Sequence, residues 1–194
     1  RDLHSFPTRR SSDLEPVSSM RVLRDDGSEC AVRETGEIVG RSPVQMSGYH
    51  GRPDLTAAAV RDGWLHTGDM GYLDDEGFLY LVDRKKDMID SGGVKIYPRD
   101  VEEVAARHPA VADVAVFGAP DAKWGETPIA AVLLVSPGGI TADELCDWIN
   151  ARVAAKYQRV SKVLIMDSFP RSVAGKTLKR ELRDAFWRGA GRNI

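Results

Sequence analysis

Cysteine is scarce in this chain, and its scarcity excludes two classes at once. Cys30 and Cys146 are the only cysteines in 194 residues, too few and too far apart for a disulfide framework or a cysteine-ligated metal site. They read as two reduced thiols of a cytoplasmic protein. The four histidines, His4, His50, His66 and His108, are scattered without ligand spacing, so no metal site is expected. Charge of one sign is also missing: 27 basic against 29 acidic residues leaves a net charge of −2 and offers no basic surface for nucleic acid. No apolar run is long enough to span a bilayer. One further absence concerns FPRSVAGKTLKR at residues 169–180. An apolar run, a loop, Gly-Lys-Thr and a helical pattern follow one another there as in a phosphate-binding P-loop. The P-loop needs a glycine five residues before Gly175, because its glycines let backbone N–H groups wrap phosphate. Pro170 stands there instead, with no N–H to offer. Lys176 therefore needs another explanation.

What is present is enough for a core: 42% of residues are hydrophobic. Residues 1–14, RDLHSFPTRRSSDL, lack an initiator methionine, an apolar targeting stretch and a helical period, and Asp2 and Asp13 argue against a transit peptide. They read as non-native or disordered sequence, which implies that the true amino terminus is missing. From Glu15 onward the texture is first β-rich. Met20–Arg24, Gly36–Arg41, Trp64–Thr67, Met70–Leu73 and Phe78–Val82 read as short strands, with a hairpin turn at Asp74-Asp75-Glu76-Gly77 and a short helix at Pro53–Val60. After a charged knot at Asp83-Arg84-Lys85-Lys86-Asp87 the pattern alternates. It predicts a strand at Val94–Tyr97, a helix from Pro98 with Val101, Val104 and Ala105 on one face, and strands at Val111–Phe117 and Ile129–Val135. Next come a helix capped by Thr141 and Glu144 that carries Leu145, Trp148, Ile149 and Val153 as a stripe, a strand at Lys162–Met166, and a final helix at Leu178–Trp187. The expected class is α+β: residues 15–83 as the mostly β end of a larger domain, then a compact α/β domain at 84–194, with the boundary within 83–86.

Three stretches line up in order and carry a resemblance: GWLHTGDMG at 63–71, DRKKDMIDSGGVKIYPRDVEE at 83–103, and PRSVAGK at 170–176. They are similar to the carboxyl-terminal third of the adenylate-forming acyl-CoA synthetases, the family of fatty-acyl-CoA ligases, firefly luciferase and peptide-synthetase adenylation domains. The resemblance covers roughly Glu15 to Trp187. It implies that Asp69 and Arg84 bind the ribose of ATP or AMP, a role suited to a carboxylate that accepts from vicinal hydroxyls. It makes Lys86 the hinge about which two domains rotate, and it brings Ser91, Gly92 and Gly93 against the pantetheine arm of CoA. It makes Lys176 a catalytic lysine delivered from the mobile domain to bridge the acid and the α-phosphate. Asp90 departs from the family pattern, where an apolar residue is common, and Lys95 stands where Asn or Arg is common; neither is assigned a role. Trp124, beside Lys123, either stacks on the adenine of CoA or packs its own loop.

The resemblance implies an acid–CoA ligase that uses ATP, Mg²⁺ and CoA on a carboxylic acid, read as a fatty acid. The magnesium site, the adenine site and the acid pocket would lie in a missing amino-terminal domain, the chain's expected partner, so the 194 residues alone are expected to be inactive. Three alternatives stay open: an adenylation domain that loads a carrier protein, a luciferase-like oxidase, and a non-enzymatic CoA- or nucleotide-binding module. Ser91-Gly92-Gly93-Val94-Lys95-Ile96-Tyr97-Pro98 favours the CoA ligases over the first, whose members usually carry a Lys-Ile-Arg-Gly type stretch there.

Overall fold

A computed structural model describes residues 19–188; residues 1–14 lie outside that range. The chain divides into two compact units that meet between Lys86 and Asp87.

The first unit is an antiparallel sheet. Its strands are β1 (Ser19–Leu23), β2 (Gly36–Arg41), β3 (Val60–Arg61), β4 (Trp64–Leu73) and β5 (Leu79–Arg84), with the short helix α1 (Pro53–Ala59) before β3. β4 pairs with β2, and also with β3 through its first residues and β5 through its later ones. Val22, Ile38 and Leu79 form the buried cluster of the unit, with Met20, Cys30 and Leu73 packed around it. The two strands expected at 64–67 and 70–73 are one continuous strand. Its register against β2 jumps from Glu37↔Met70 to Val39↔His66, so β4 carries the extra residues of a bulge at Thr67-Gly68-Asp69. Gly68 takes φ +72°, and the Thr67 hydroxyl donates to the Ile38 carbonyl at 2.8 Å, satisfying a ladder group that the bulge interrupts.

The second unit is the α/β part. It contains β6 (Ile89–Ser91), β7 (Val94–Ile96), α2 (Pro98–Ala106), β8 (Val111–Asp121), β9 (Gly125–Leu134), α3 (Ala142–Asn150), β10 (Lys162–Met166) and α4 (Lys179–Trp187). β8 and β9 form a long hairpin, β10 runs parallel to β9, and β6 pairs with β7 and with Gly125 of β9. Period-two alternation assigns each strand two faces. Val116, Ala130 and Val132 join Val101 and Ala105 of α2 and Leu145 and Ile149 of α3 in one buried cluster. Ala115, Phe117, Ala119, Ile129 and Ala131 face the other way, onto Phe169 and Leu182 of α4. Helices therefore cover both faces of the sheet, as an apolar alternation on each side requires.

Local signals set the helix ends. Thr141 Oγ1 accepts from the Glu144 N–H while the Glu144 carboxylate accepts from the Thr141 N–H, the reciprocal capping box that the sequence predicted. Pro98 opens α2, where its missing N–H costs nothing. β8 runs four residues beyond the expected Phe117, through Gly118 and Pro120 to Asp121, and its hairpin partner β9 begins at Gly125, before the expected Ile129. Continuous pairing with β9 carries the strand through Gly118 and Pro120, residues that are uncommon inside strands. The mixed α+β class is as expected. Leu145→Ala should lower the stability of the second unit by about 2–5 kcal/mol, since the side chain is fully buried between helix and sheet. A urea titration followed by far-UV circular dichroism checks this, and a loss below about 1 kcal/mol would contradict the packing described.

Candidate functional site

The candidate residues fall into three groups. In the first unit, Asp69 stands at the exit of the β4 bulge, and its strand partner is Arg84 near the end of β5. Arg84 Nε donates to Asp69 Oδ1 at 3.2 Å, with both side chains about half exposed. The bulge and strand pairing thus bring together two residues fifteen apart in sequence. Thr67 Oγ1 also accepts from the Asp69 N–H at 3.0 Å, so one hydroxyl holds both sides of the bulge. A carboxylate beside a guanidinium is suited to a vicinal diol: the carboxylate accepts and the guanidinium donates.

The second group is in the other unit. β6 and β7 are joined by the tight turn Ser91-Gly92-Gly93, with φ +61° at Gly92 and +86° at Gly93. The Asp90 carboxylate accepts from the Gly93 N–H at 2.9 Å and pairs with Lys95 Nζ at 3.0 Å, which gives Asp90 and Lys95 a local purpose in closing this turn. Gly92 donates to the Trp124 carbonyl at 2.7 Å, and Ser91 pairs with Gly125. A methyl group on Gly92 would come within 2.8 Å of Trp124 Cε3, so only glycine lets the turn lie against the indole. Asp121 fixes the loop from below by accepting the Lys123 and Trp124 N–H groups at 2.9 and 2.8 Å. Trp124 is 50% exposed, with Lys123 Nζ 4.6 Å from its ring centroid. The glycine turn and Trp124 make one surface with an aromatic plane and an ammonium.

Lys176 is the third group. It stands exposed on the loop between β10 and α4. The loop is a closed hairpin: Arg171 pairs with Thr177, Ser172 N–H donates to the Lys176 carbonyl at 2.8 Å, and Ser172 Oγ accepts from the Lys176 N–H at 3.2 Å. Gly175 supplies φ +80°. The Arg171 guanidinium braces the hairpin, donating to the Gly175 carbonyl at 3.0 Å and to Asp113 of β8 at 2.5 Å. The backbone of Lys176 is thus held while its ammonium reaches outward. No hydrogen bond links Lys176 to Gly92 or Trp124 among the described residues. Lys86, the expected hinge, is exposed in a short 3-10 turn at Lys85–Asp87.

Sequence reading missed the brace of Arg171 on Asp113, which depends on a contact 58 residues apart. It also missed a charged cluster in the first unit. Glu37 is 8% exposed within β2, and its Oε2 receives Lys85 Nζ at 3.1 Å; Lys85 also meets Asp25 at 2.9 Å. His66 Nδ1 lies 3.2 Å from the same Glu37 oxygen but is not aligned for a hydrogen bond. A glutamate at an inward position of an apolar strand was the available signal. Burial pushes the Glu37 carboxyl up, but the neighbouring His66 and Lys85 outweigh it and hold the group below the ordinary glutamate value of 4.5. Its contribution to stability is therefore complete above pH about 4.5, declines as the pH falls below that, and is gone once the folded-state value is passed. Acid titration of the chain, followed by tryptophan fluorescence, should show a loss in that window that Glu37→Gln reduces; Asp26, Glu34, Asp54 and Asp74, which are also held below their ordinary values, contribute to the remainder. An unchanged profile in the variant would refute the assignment. Among the described residues no group of three or more potential metal ligands is gathered, both thiols are free, and no helix is long and apolar enough to cross a membrane.

Comparison with known proteins identifies these elements. Residues 100–176 match the AMP-binding enzyme C-terminal domain. The chain is 44% identical over 172 residues to the 2-succinylbenzoate–CoA ligase of Bacillus subtilis, covering 88% of this chain and 35% of that enzyme. It is 41% identical over 195 residues to the medium/long-chain-fatty-acid–CoA ligase FadD8 of Mycobacterium tuberculosis, covering 96% and 34%. Among solved structures, the Bacillus subtilis o-succinylbenzoate CoA synthetase with its acyl-adenylate intermediate superposes with a TM-score of 0.77 at 43% identity, over 87% of this chain and 34% of that one. The ATP-bound MatB of Rhodopseudomonas palustris gives 0.81 at 30% identity, over 91% and 35%. The chain spans about a third of the length of these relatives. It belongs to the adenylate-forming enzymes, with residues 100–176 matching their AMP-binding C-terminal domain and with acyl-CoA ligases among its relatives.

Proposed function

We propose that this chain is the carboxyl-terminal part of an AMP-forming acid–CoA ligase. In the first half-reaction a carboxylate oxygen attacks the α-phosphorus of ATP, forming the acyl-adenylate and expelling pyrophosphate. In the second the CoA sulfur attacks the acyl carbon, the C–O bond to AMP breaks, and the thiol proton is lost to solvent or a base. The observation that carries this reading is the joining of the Ser91-Gly92-Gly93 turn to Trp124, because a narrow glycine passage beside an exposed aromatic suits pantetheine and adenine together.

In this reading Asp69 and Arg84 hold the nucleotide ribose. Lys176 supplies positive charge between carboxylate and α-phosphate, Lys86 is the pivot between the two half-reactions, and Trp124 receives CoA. The adenine pocket, the magnesium site that accompanies ATP, and the acid pocket are assigned to the two thirds of the relatives' length that this chain does not match. The 194 residues by themselves should then form no thioester. The acid is a carboxylic acid recognised outside these residues. The relatives point to two classes to assay, 2-succinylbenzoate and medium- or long-chain fatty acids. A cytoplasmic enzyme fits substrates of this kind.

Joining this chain to the preceding two thirds of the Bacillus subtilis ligase provides the test. The chimera should release AMP and form acyl-CoA with 2-succinylbenzoate, while the chain alone does neither. A folded chimera that forms acyl-adenylate but never passes it to CoA would overturn the CoA assignment and favour another acceptor.

A further inference from the structure

Lys85 immediately precedes the expected pivot, and its side chain is far better held than a surface lysine. The chain leaves β5 at Arg84 and enters the turn at Lys85–Asp87, where the two units meet. Lys85 Nζ reaches back into the first unit, to Glu37 of β2 at 3.1 Å and to Asp25, in the turn after β1, at 2.9 Å. The Glu37 side chain is 10% exposed. A carboxylate taken out of water in this way needs a cation beside it, since an uncompensated buried charge is strongly unfavourable. His66, on the adjacent strand β4, stands against the same oxygen. One ammonium therefore ties the first residue of the turn to the sheet.

We propose that Lys85 is a positioning residue for domain alternation: its ammonium, held by Glu37 and Asp25, fixes the first-unit end of the hinge and confines the rotation to Lys86 and Asp87. The proposal rests on the reading of Lys86 as the pivot. A pivot works reproducibly only if one side of it is anchored. Without the anchor, the φ/ψ changes spread into β5, and with them the ribose partner Arg84, which directly precedes Lys85, loses its place.

The test uses the full chain without ATP, acid or CoA. Spin labels on ketone-bearing residues at exposed positions 58 and 147, one in each unit, report the distribution of distances between the units, and Cys30 and Cys146 stay untouched. Hydrogen exchange reports the amides of residues 86–88. Lys85→Met keeps the stem and removes the charge. It should accelerate exchange there by about tenfold, as expected for losing a charge-assisted contact, and broaden the distance distribution; Lys85→Arg should restore both. Faster exchange with an unchanged distribution would make Lys85 a local brace only and overturn the proposal, as would no change in either. If Lys85→Met unfolds the first unit, Asp25→Asn, which alters only the exposed half of the clasp, must still broaden the distribution, or the idea falls. A broadened distribution with a failed ligation assay sinks the ligase reading alone. An unbroadened one with intact ligation sinks this proposal alone.

Discussion

Lys176→Gln, placed in a ligation-competent chimera, should slow acyl-adenylate formation by roughly 10²–10³, the effect of removing about 3–4 kcal/mol of transition-state stabilisation from one preorganised charged contact. The reasoning starts from the loop. Its backbone is closed by the Ser172–Lys176 hydrogen bonds and by the Arg171 brace, whereas the Lys176 side chain is exposed. Replacing the side chain therefore leaves the fold intact, and the change falls on chemistry. Both the attacking carboxylate and the α-phosphate are anionic, and charge builds between them as the bond forms. A positive group delivered there also orients the two reactants. The second half-reaction needs no such bridge. Thioester formation from supplied acyl-adenylate should therefore change by less than about tenfold, which corresponds to less than 1.4 kcal/mol. Pyrophosphate release and acyl-CoA formation, measured separately, decide the matter. Equal losses in both steps would remove Lys176 from its assigned role, and so would equal retention.

Gly92→Ala should produce the opposite split. At φ +61° an alanine meets a left-handed backbone cost of roughly 1–2 kcal/mol, and its methyl would stand 2.8 Å from Trp124 Cε3, forcing the indole or the turn to move. The two effects together should lower thioester formation by about tenfold or more, while adenylate formation stays near its original rate. Gly93→Ala is the internal comparison. Its φ of +86° carries the backbone cost, but no atom lies within 4 Å of the added methyl. The difference between the two variants isolates the contact with Trp124 from backbone strain. Trp124 fluorescence should shift in Gly92→Ala and stay constant in Gly93→Ala. Loss of adenylate formation in Gly92→Ala, with thioester formation preserved, would refute the placement of CoA on this surface.

Much of this protein could be read along the chain, because several of its signals are local. Val111–Phe117 and Ile129–Val135 read as strands at β8 and β9, Thr141 and Glu144 announced the start of α3, and Lys162–Met166 appeared as a strand with the bounds that β10 has. The three motifs were legible for the same reason: each is a short contiguous run. Tertiary structure alone decided the pairings. That Thr67-Gly68-Asp69 is a bulge follows from register against β2, and that Asp69 meets Arg84 follows from register against β5. Trp124 rests on Gly92 because β6 pairs with the start of β9, and Lys85 finds Glu37 because β2 and β5 both flank β4. Periodicity is written along one strand, whereas register is a choice between strands, made by burial and hydrogen-bond satisfaction over the whole sheet.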